Sequence, residues 1–159
     1  MVERSSMTDE AELRLVCFEL RGQEFAFPIA HVRETLAVQP ITRVFLTPPC
    51  LAGVFSLRGE VVPAVDIGVL LGLAPAVVGD STRIVILRHA LGTAGVIVDR
   101  ISEQRRLDQA LDAPPPSLPA EVAVLLRGVA ATPTGTVRVL DADAILDAEP
   151  LRTLREAAP

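Results

Sequence analysis

The chain has 159 residues and a formal charge of −5 at pH 7, and half of its residues are hydrophobic; it is long and apolar enough for one ordinary domain with a sizeable core. The acidic balance and the absence of Trp and Tyr exclude a nucleic-acid-binding protein, which needs a basic face and stacking aromatic side chains. The longest uncharged stretch, Val44 to Leu57, contains two prolines and is shorter than the roughly 20 residues of a membrane-spanning helix, so we expect no direct membrane insertion.

Short β-type runs separated by turns follow the N-terminus and predict a mainly β protein. Residues 1–12 are expected to form a flexible N-terminus. A first strand is predicted over Leu13–Leu20, and Arg21-Gly22-Gln23 ends it. The next strand, over residues 24–29, places three apolar side chains on one face by strict alternation: Phe25, Phe27 and Ile29.

A short helix is predicted over residues 30–36. Val32 and Leu36 are separated by about one helical turn, so on a helix both would face inward, while Arg33 and Glu34 would point outward. This helix would connect the first hairpin to the strands that follow it.

The next two predicted strands, Leu51–Leu57 and Glu60–Val65, are joined by a tight turn that contains Gly59. Glycine permits the positive φ that such a turn requires. Pro63 has no backbone N–H, so we expect an edge strand or a bulge at this position. Asp66 is predicted to cap a helix of one or two turns.

The second half of the chain repeats this order, with four strands and then a short helix predicted over residues 82–88, 94–99, 126–131, 136–140 and 142–146. Asp141 is the predicted cap of that helix. The proline-rich segment 113–120 cannot form the interior of a strand, so we expect a surface connection there. Residues 148–159 are expected to form a C-terminal tail.

Alignment of the chain with itself supports a duplication. One constant shift places Leu51–Leu71 on Leu126–Leu146 without a gap, with identities at Leu51/Leu126, Gly53/Gly128, Val54/Val129, Val62/Val137, Asp66/Asp141 and Leu71/Leu146. A second, slightly smaller shift places Arg14–Leu36 on Arg83–Arg105 and keeps the apolar pattern. Any two hairpins rich in Val and Gly could align this well, but the shared Gly-Val pair and capping Asp favour duplication. We therefore expect one domain over residues 13–147, made of two duplicated barrel-forming halves.

The residues offer no constellation for catalysis or for a cofactor. His31 and His89 lie at no metal-ligand spacing from each other or from a cysteine, and the sequence has no Gly-rich phosphate loop and no Gly-x-Ser-x-Gly elbow. Cys17 lies in an apolar run and is expected to be a small core residue. Cys17 and Cys50, as two lone cysteines, fit a reducing, cytoplasmic compartment. The sequence favours a non-catalytic interaction module without metal or cofactor over an enzyme.

Residues 51–66, with the sequence Leu-Ala-Gly-Val-Phe-Ser-Leu-Arg-Gly-Glu-Val-Val-Pro-Ala-Val-Asp, resemble the central motif of the CheW-like domain family. That motif is apolar-x-Gly-Val-x-Asn-Leu-Arg-Gly-x-apolar-Val-Pro-apolar-apolar-Asp-Leu. Three flanking segments are similar to the family as well: Phe-Ala-Phe-Pro-Ile-x-x-Val-Arg-Glu at 25–34, Gly-Val-Ile-Val-Asp-Arg-Ile at 95–101, and Leu-Arg-Gly-Val at 126–129. The resemblance extends over residues 13–146 in the family's order.

This resemblance implies a mainly β fold of two five-stranded SH3-like barrels with a shared hydrophobic core and a few short helices. It also implies a cytoplasmic, non-catalytic scaffold of bacterial chemotaxis, recruited to membrane-associated receptor arrays. Such a scaffold couples the cytoplasmic tip of methyl-accepting chemoreceptors to the regulatory domain of a CheA-type histidine kinase. One alternative is a CheW-like adaptor of a paralogous chemosensory pathway, for surface motility or gene regulation. The alternative from another class is a small β-barrel ligand binder or enzyme.

Five positions of the matching segments are expected to bind the receptor or the kinase. By resemblance, Glu34 and Arg58 match an acidic and a basic position that the family uses in coupling. From the sequence alone they would be a solvated helix carboxylate and an exposed turn arginine. Val32 and Gly53 are expected to support or line the binding groove, and Ser56 lies in the same segment.

Two departures from the family motif bear on the partner. Ser56 stands where the motif has Asn, which removes an amide donor and keeps a hydroxyl. Gly68 stands where the family has the Arg of Asp-Leu-Arg, so a surface arginine is missing. Both departures leave the expected fold unchanged and keep open whether the protein binds a standard chemoreceptor or serves a paralogous pathway.

Overall fold

The computed structural model describes residues 13–89 and 92–151, and the expected flexible N-terminus and the end of the expected tail lie outside the described residues. The strands are β1 (Leu13–Leu20), β2 (Gln23–Pro28), β3 (Val32–Ala37), β4 (Leu51–Leu57), β5 (Glu60–Val65), β6 (Arg83–His89), β7 (Gly92–Val98), β8 (Arg100–Leu107), β9 (Leu126–Thr132) and β10 (Gly135–Leu140). The helices are a 3-10 turn at Ile29–His31, α1 (Ile67–Leu70), α2 (Ala120–Ala123) and α3 (Ala142–Leu146).

Two five-stranded sheets contain these ten strands. The first sheet has the order β8-β1-β2-β10-β9, and the second has the order β3-β6-β7-β5-β4. Neighbouring strands are antiparallel except for the pairs β2/β10 and β5/β7, which are parallel. Isolated bridges extend the pairing of the two sheets, from Thr42 to Val54 in the second and from Asp112 to Val129 in the first. The expected mainly β fold with two five-stranded sheets and a few short helices is confirmed.

The two sheets have the same strand order once each strand is exchanged for its counterpart in the other half, that is β1 for β6, β2 for β7, β3 for β8, β4 for β9 and β5 for β10. β4 and β9 begin at Leu51 and Leu126, the two residues with which the self-alignment of the sequence begins. Each sheet, which forms one barrel, combines the first two strands of one half with the last three of the other: β1 and β2 with β8–β10, and β6 and β7 with β3–β5. Each barrel therefore takes strands from both halves, an exchange that the repeat does not predict.

Three clusters of buried side chains form the core. One cluster fills the first barrel around Leu15, Cys17 and Val137, and another fills the second around Phe55, Ile84 and Ile86. The third lies between the barrels and contains residues of both sheets, among them Phe18, Phe27, Val85, Leu87, Val98 and Leu140. Successive side chains of a strand point to opposite faces, so alternate residues of one strand belong to the cluster inside a barrel and to the cluster between the barrels. The barrels therefore share a hydrophobic core, as expected.

The helix predicted over residues 30–36 is wrong, because a single 3-10 turn there is followed at once by β3. The spacing between Val32 and Leu36 fits one helical turn and also one face of a strand. Pairing with β6, from Val32 opposite Leu87 to Ala37 opposite Arg83, decides for the strand. Glu34 consequently shares the half-buried face of Val32 and Leu36 instead of pointing away from it.

Two local expectations around β5 are corrected. Pro63 does not lie in an edge strand, since β5 is between β4 and β7, although the β4/β5 ladder does have a register irregularity nearby, between Leu51 and Gly53. The parallel ladder with β7 contains Ala64 and Val65, so Pro63 lies beyond its end and the missing N–H costs no hydrogen bond to β7. Asp66 precedes α1 without capping it through its side chain, whereas Asp141 caps α3 as expected by accepting from the Ala144 amide at 3.0 Å.

Candidate functional site

Glu34 and Arg58 meet at the open side of the second sheet. Glu34 lies on β3, at one end of the strand order, and Arg58 lies in the turn that follows β4, at the other end. Arg58 and Gly59 both have positive φ, 49° and 86°, as the tight turns of two-residue hairpins require. This turn carries the arginine towards β3.

The two side chains form a two-point ion pair. Arg58 Nη1 lies 2.6 Å from Glu34 Oε2, and Arg58 Nη2 lies 2.7 Å from Glu34 Oε1. This parallel arrangement is the strong geometry of an arginine with a carboxylate, because the planar guanidinium matches both oxygens. Two residues that the sequence assigns to binding separately therefore form one unit.

The ion pair is accessible, but its two members are exposed unequally. The Glu34 side chain is 23% exposed and the Arg58 side chain 62%. The hydrogen bonds from Arg58 lower the pKa of Glu34 below its ordinary value, and the same contact raises the pKa of Arg58. Both groups stay charged at neutral pH, and the surface presents a neutral pair with an exposed guanidinium edge.

Gly53 supports the site from inside the wall of the second barrel. It is buried, and a Cβ at this position would lie 2.2 Å from the Thr42 carbonyl oxygen and 2.8 Å from Ile41 Cγ2. The neighbouring bridge joins the Thr42 and Val54 amides and carbonyls at 2.8 Å. Gly53 therefore permits the close approach of two backbone segments and does not line an open groove.

Val32 and Ser56 take different places around the pair. Val32 is half-buried and packs against the core that the barrels share. Ser56 is exposed on β4, two positions before Arg58 in the chain. Of the five expected site residues, Glu34, Arg58 and Ser56 lie at the surface, while Val32 and Gly53 support it from below.

The segment between β3 and β4 carries an apolar tip that was not predicted from the sequence. Phe45 and Leu46 are fully exposed, and Val44 is half-exposed. Leu46 has a positive φ of 59°, an uncommon conformation for a bulky residue. Residues 43–49, 51 and 52 line a shallow groove of about 430 Å³ beside this tip. Three consecutive apolar residues outside any predicted strand were the signal that could have identified it.

The described residues contain no metal-binding cluster and no exposed thiol. Residues 13–89 and 92–151 hold no group of three or more His, Cys, Asp or Glu side chains that could bind a metal ion. Cys17 and Cys50 are buried, and burial raises the pKa of both thiols, that of Cys17 to about 12. A protonated, inaccessible thiol is a poor nucleophile. None of the helices in the described part of the chain has the length and apolar character needed to cross a membrane.

Comparison with known proteins gives a consistent picture. A family model described as "CheW-like domain" matches residues 14–149. The chain is 30% identical to "Chemotaxis protein CheW" of Helicobacter pylori over 87% of its own length and 84% of the relative's, and 27% identical to "Chemotaxis protein CheW" of Bacillus subtilis over 86% and 88%. The scaffolding protein TtCheW from Thermoanaerobacter tengcongensis has the same fold, with a TM-score of 0.77, 24% identity and coverage of 87% of this chain and 90% of that one. The chain belongs to the CheW-like domain family.

Proposed function

We propose that this protein is a non-catalytic chemotaxis adaptor that couples chemoreceptors to a CheA-type histidine kinase. The observation that carries the proposal is the meeting of Glu34 and Arg58, the two expected coupling residues, in one accessible ion pair on a CheW-like fold. The structural neighbour TtCheW is a scaffolding protein, which supports a role in assembly. An adaptor of this kind works by holding two partners at a fixed distance and orientation.

The receptor partner is the cytoplasmic tip of a methyl-accepting chemoreceptor, a helical hairpin. A helix that lies along a barrel surface is recognised by its apolar face and by charges at the rim. The Arg58 guanidinium is the more exposed member of the ion pair, so it is the group available to an acceptor on the receptor. Rim charges of this kind set register and specificity more than total affinity.

The kinase partner is the regulatory domain of the CheA-type kinase, which by family resemblance has the same fold. The apolar tip of Val44, Phe45 and Leu46 is the contact that we assign to it, because aromatic and aliphatic anchors carry most of the energy of such interfaces. Its backbone strain at Leu46 supports this role, since strained conformations cluster at functional positions. Receptor and kinase then occupy different parts of the second barrel.

Localisation follows from the partners. The receptor tips lie on the cytoplasmic side of the membrane, and the protein joins the arrays that the receptors form there. It reaches the membrane through the receptors, by protein contacts.

The test is a calorimetric titration with two purified partners, the receptor hairpin and the regulatory domain of a CheA-type kinase from the same organism. Arg58→Glu is expected to weaken receptor binding about tenfold and to leave kinase binding unchanged. The double variant Phe45→Ser, Leu46→Ser is expected to do the reverse.

Val77→Ser is the matched control for the apolar tip, because Val77 is similarly exposed but lies after α1. The control should bind both partners as the wild type does. An equal loss of both partners in every variant would contradict two separate contact surfaces, and no binding to either partner would contradict the proposed function.

The second candidate function is an adaptor of a paralogous chemosensory pathway for surface motility or gene regulation. Position 68 favours it, because Gly68 stands where the family motif has an arginine, and the Arg21 guanidinium occupies the space that a Cβ at position 68 would need. Binding to the kinase of such a pathway, with no binding to a flagellar chemoreceptor, would support this candidate over the first.

A further inference from the structure

The β1–β2 turn makes a polar contact from the first barrel to the second. Arg21 in this turn donates from its backbone amide to Asp99 Oδ2 and from Nη1 to Asp99 Oδ1, the latter at 2.7 Å. Its Nη2 lies 3.3 Å from Asp66 Oδ1. Asp99 is the single residue between β7 and β8, where the chain passes from the second barrel to the first, and Asp66 follows β5 of the second. The Arg21 guanidinium, which belongs to the first barrel, therefore contacts the second barrel at Asp66 and the connection between the barrels at Asp99.

Gly68 is matched to this arginine. A Cβ at position 68 would lie 1.7 Å from Arg21 Nη2 and 2.8 Å from Arg21 Cζ. Gly68 lies in α1 and its backbone φ is not in the positive region, so the reason for glycine is space and not backbone conformation. Any side chain at position 68 would displace the guanidinium from Asp66.

The duplication provides an internal comparison for Asp66. Its counterpart in the second half, Asp141, caps α3 through the Ala144 amide. Asp66 instead receives Arg21 on one oxygen and the Ala76 amide on the other, at 2.8 Å. Two equivalent aspartates therefore have different partners, and the difference coincides with the presence of Arg21.

The contact is half-buried and one of its donors is unpaired. The Arg21 side chain is 20% exposed and that of Asp66 is 9% exposed. The Arg21 Nε is buried and has no hydrogen-bond partner among the described residues, and such an orphaned donor lowers the net gain of the contact. The arginine is held in this position by the two carboxylates in spite of that cost.

We propose that Arg21 is a positioning residue that fixes the orientation of the two barrels relative to each other. The shared core between the barrels is aliphatic and aromatic, and hydrophobic contact is non-directional. The shared core resists separation of the barrels. The directional hydrogen bonds of an ion pair restrict the relative angle of the barrels more strictly than this core does. The hydrogen bonds of Arg21 therefore restrict the relative angle of the barrels at one edge of the shared core.

The experiment measures the distance between the barrels with spin labels on Val61→Cys and Thr136→Cys. These exposed positions are equivalent in the duplication and lie on β5 and β10, one on each sheet. The native Cys17 and Cys50 are buried, so they react slowly with the label. Arg21→Gln is expected to broaden the distance distribution or shift its mean.

Gly68→Ala is expected to have the same effect, because its Cβ displaces the guanidinium, although Arg21, Asp66 and Asp99 themselves are not substituted. Arg21→Lys keeps one cationic donor and is expected to restore part of the wild-type distribution. Arg58→Gln is the matched control, because it removes an ion pair within the second barrel, and it should give the wild-type distribution.

Two outcomes would overturn the proposal. One is a wild-type distribution in both Arg21→Gln and Gly68→Ala, even if their Tm values fall, because Arg21 would then contribute stability alone. The other is an equal change in Arg58→Gln, because loss of any surface ion pair would then suffice. Circular dichroism of each variant verifies that it is folded before labelling.

Discussion

Glu34 and Arg58 join the two ends of the second sheet through two parallel hydrogen bonds of 2.6 and 2.7 Å. β3 and β4 are the outermost strands of that sheet, so the ion pair lies across the seam of the barrel. Each residue is the main partner of the other, and a change in one leaves the other without it. Substitutions at this site therefore have to be interpreted as changes to a pair.

Charge reversal at the pair is expected to affect binding more than stability. Arg58→Glu or Glu34→Arg should weaken receptor binding about tenfold, because two like charges then face the partner. The Tm should fall little, since exposed ion pairs contribute little to stability. The double variant Glu34→Arg, Arg58→Glu should recover the Tm of the wild type without recovering receptor affinity.

Titration calorimetry and thermal unfolding measure these two effects. Arg127→Glu is the control, because Arg127 is exposed on β9 of the first sheet, away from the pair. A large loss of Tm in the single variants would instead make Glu34 and Arg58 structural residues.

Acid should remove the contribution of this pair to stability. Arg58 lowers the folded-state pKa of Glu34 below the ordinary value of 4.5, so the contribution is present above that value and is lost as the pH falls through the folded-state pKa. We expect the Tm difference between the wild type and Arg58→Gln to be constant from about pH 6 to 8 and to shrink below about pH 4. A difference that stays the same in acid would contradict this assignment.

Gly53→Ala should destabilise the fold by about 1–3 kcal/mol. The added Cβ would lie 2.2 Å from the Thr42 carbonyl oxygen, at a φ of 151° that side chains rarely adopt. Gly79→Ala is the matched control, because a Cβ there would have no neighbour within 4 Å. Urea unfolding measures both, and equal stabilities would show that the Thr42 segment moves aside at no cost.

Alkaline pH should destabilise the fold through ionisation of the buried thiol of Cys17. Burial, with the charge of Glu24, raises its folded-state pKa from 9.0 to about 12, so its stabilising effect is present below about pH 9 and is lost as the pH rises towards 12. The free energy of unfolding should fall by up to about 1.4 kcal/mol per pH unit from this group. The chain has no Tyr and no Lys, so few other groups titrate there.

Unfolding in urea between about pH 8 and 11 tests this prediction, with Cys17→Ala as the comparison. The variant should be less stable at every pH, because it leaves a cavity, but its stability should depend less on pH. Equal slopes in the two proteins would mean that the thiol does not titrate as expected.

The sequence determined those elements whose signals are local. Alternating apolar residues and the Arg58-Gly59 turn predicted β4 and β5 with their observed bounds, Leu51–Leu57 and Glu60–Val65. The constant shift to β9 and β10 predicted a second copy of this hairpin. Strand alternation and turn chemistry depend on neighbouring residues, so they can be recognised without knowing what the strands pack against.

Tertiary structure decided the features that depend on residues distant in the chain. The spacing of Val32 and Leu36 fits a helix or a strand, and β6 made this segment a strand. Asp66 occupies a capping position, but its side chain accepts hydrogen bonds from Arg21 and from the Ala76 amide instead of capping the helix. Glu34 and Arg58, far apart in the chain, form one site because β3 and β4 are the outermost strands of the second sheet and meet at its seam. In the first two cases two local arrangements were compatible with the sequence, and the partner supplied by a distant part of the fold favoured one of them; in the third, only the sheet order brought the two residues together.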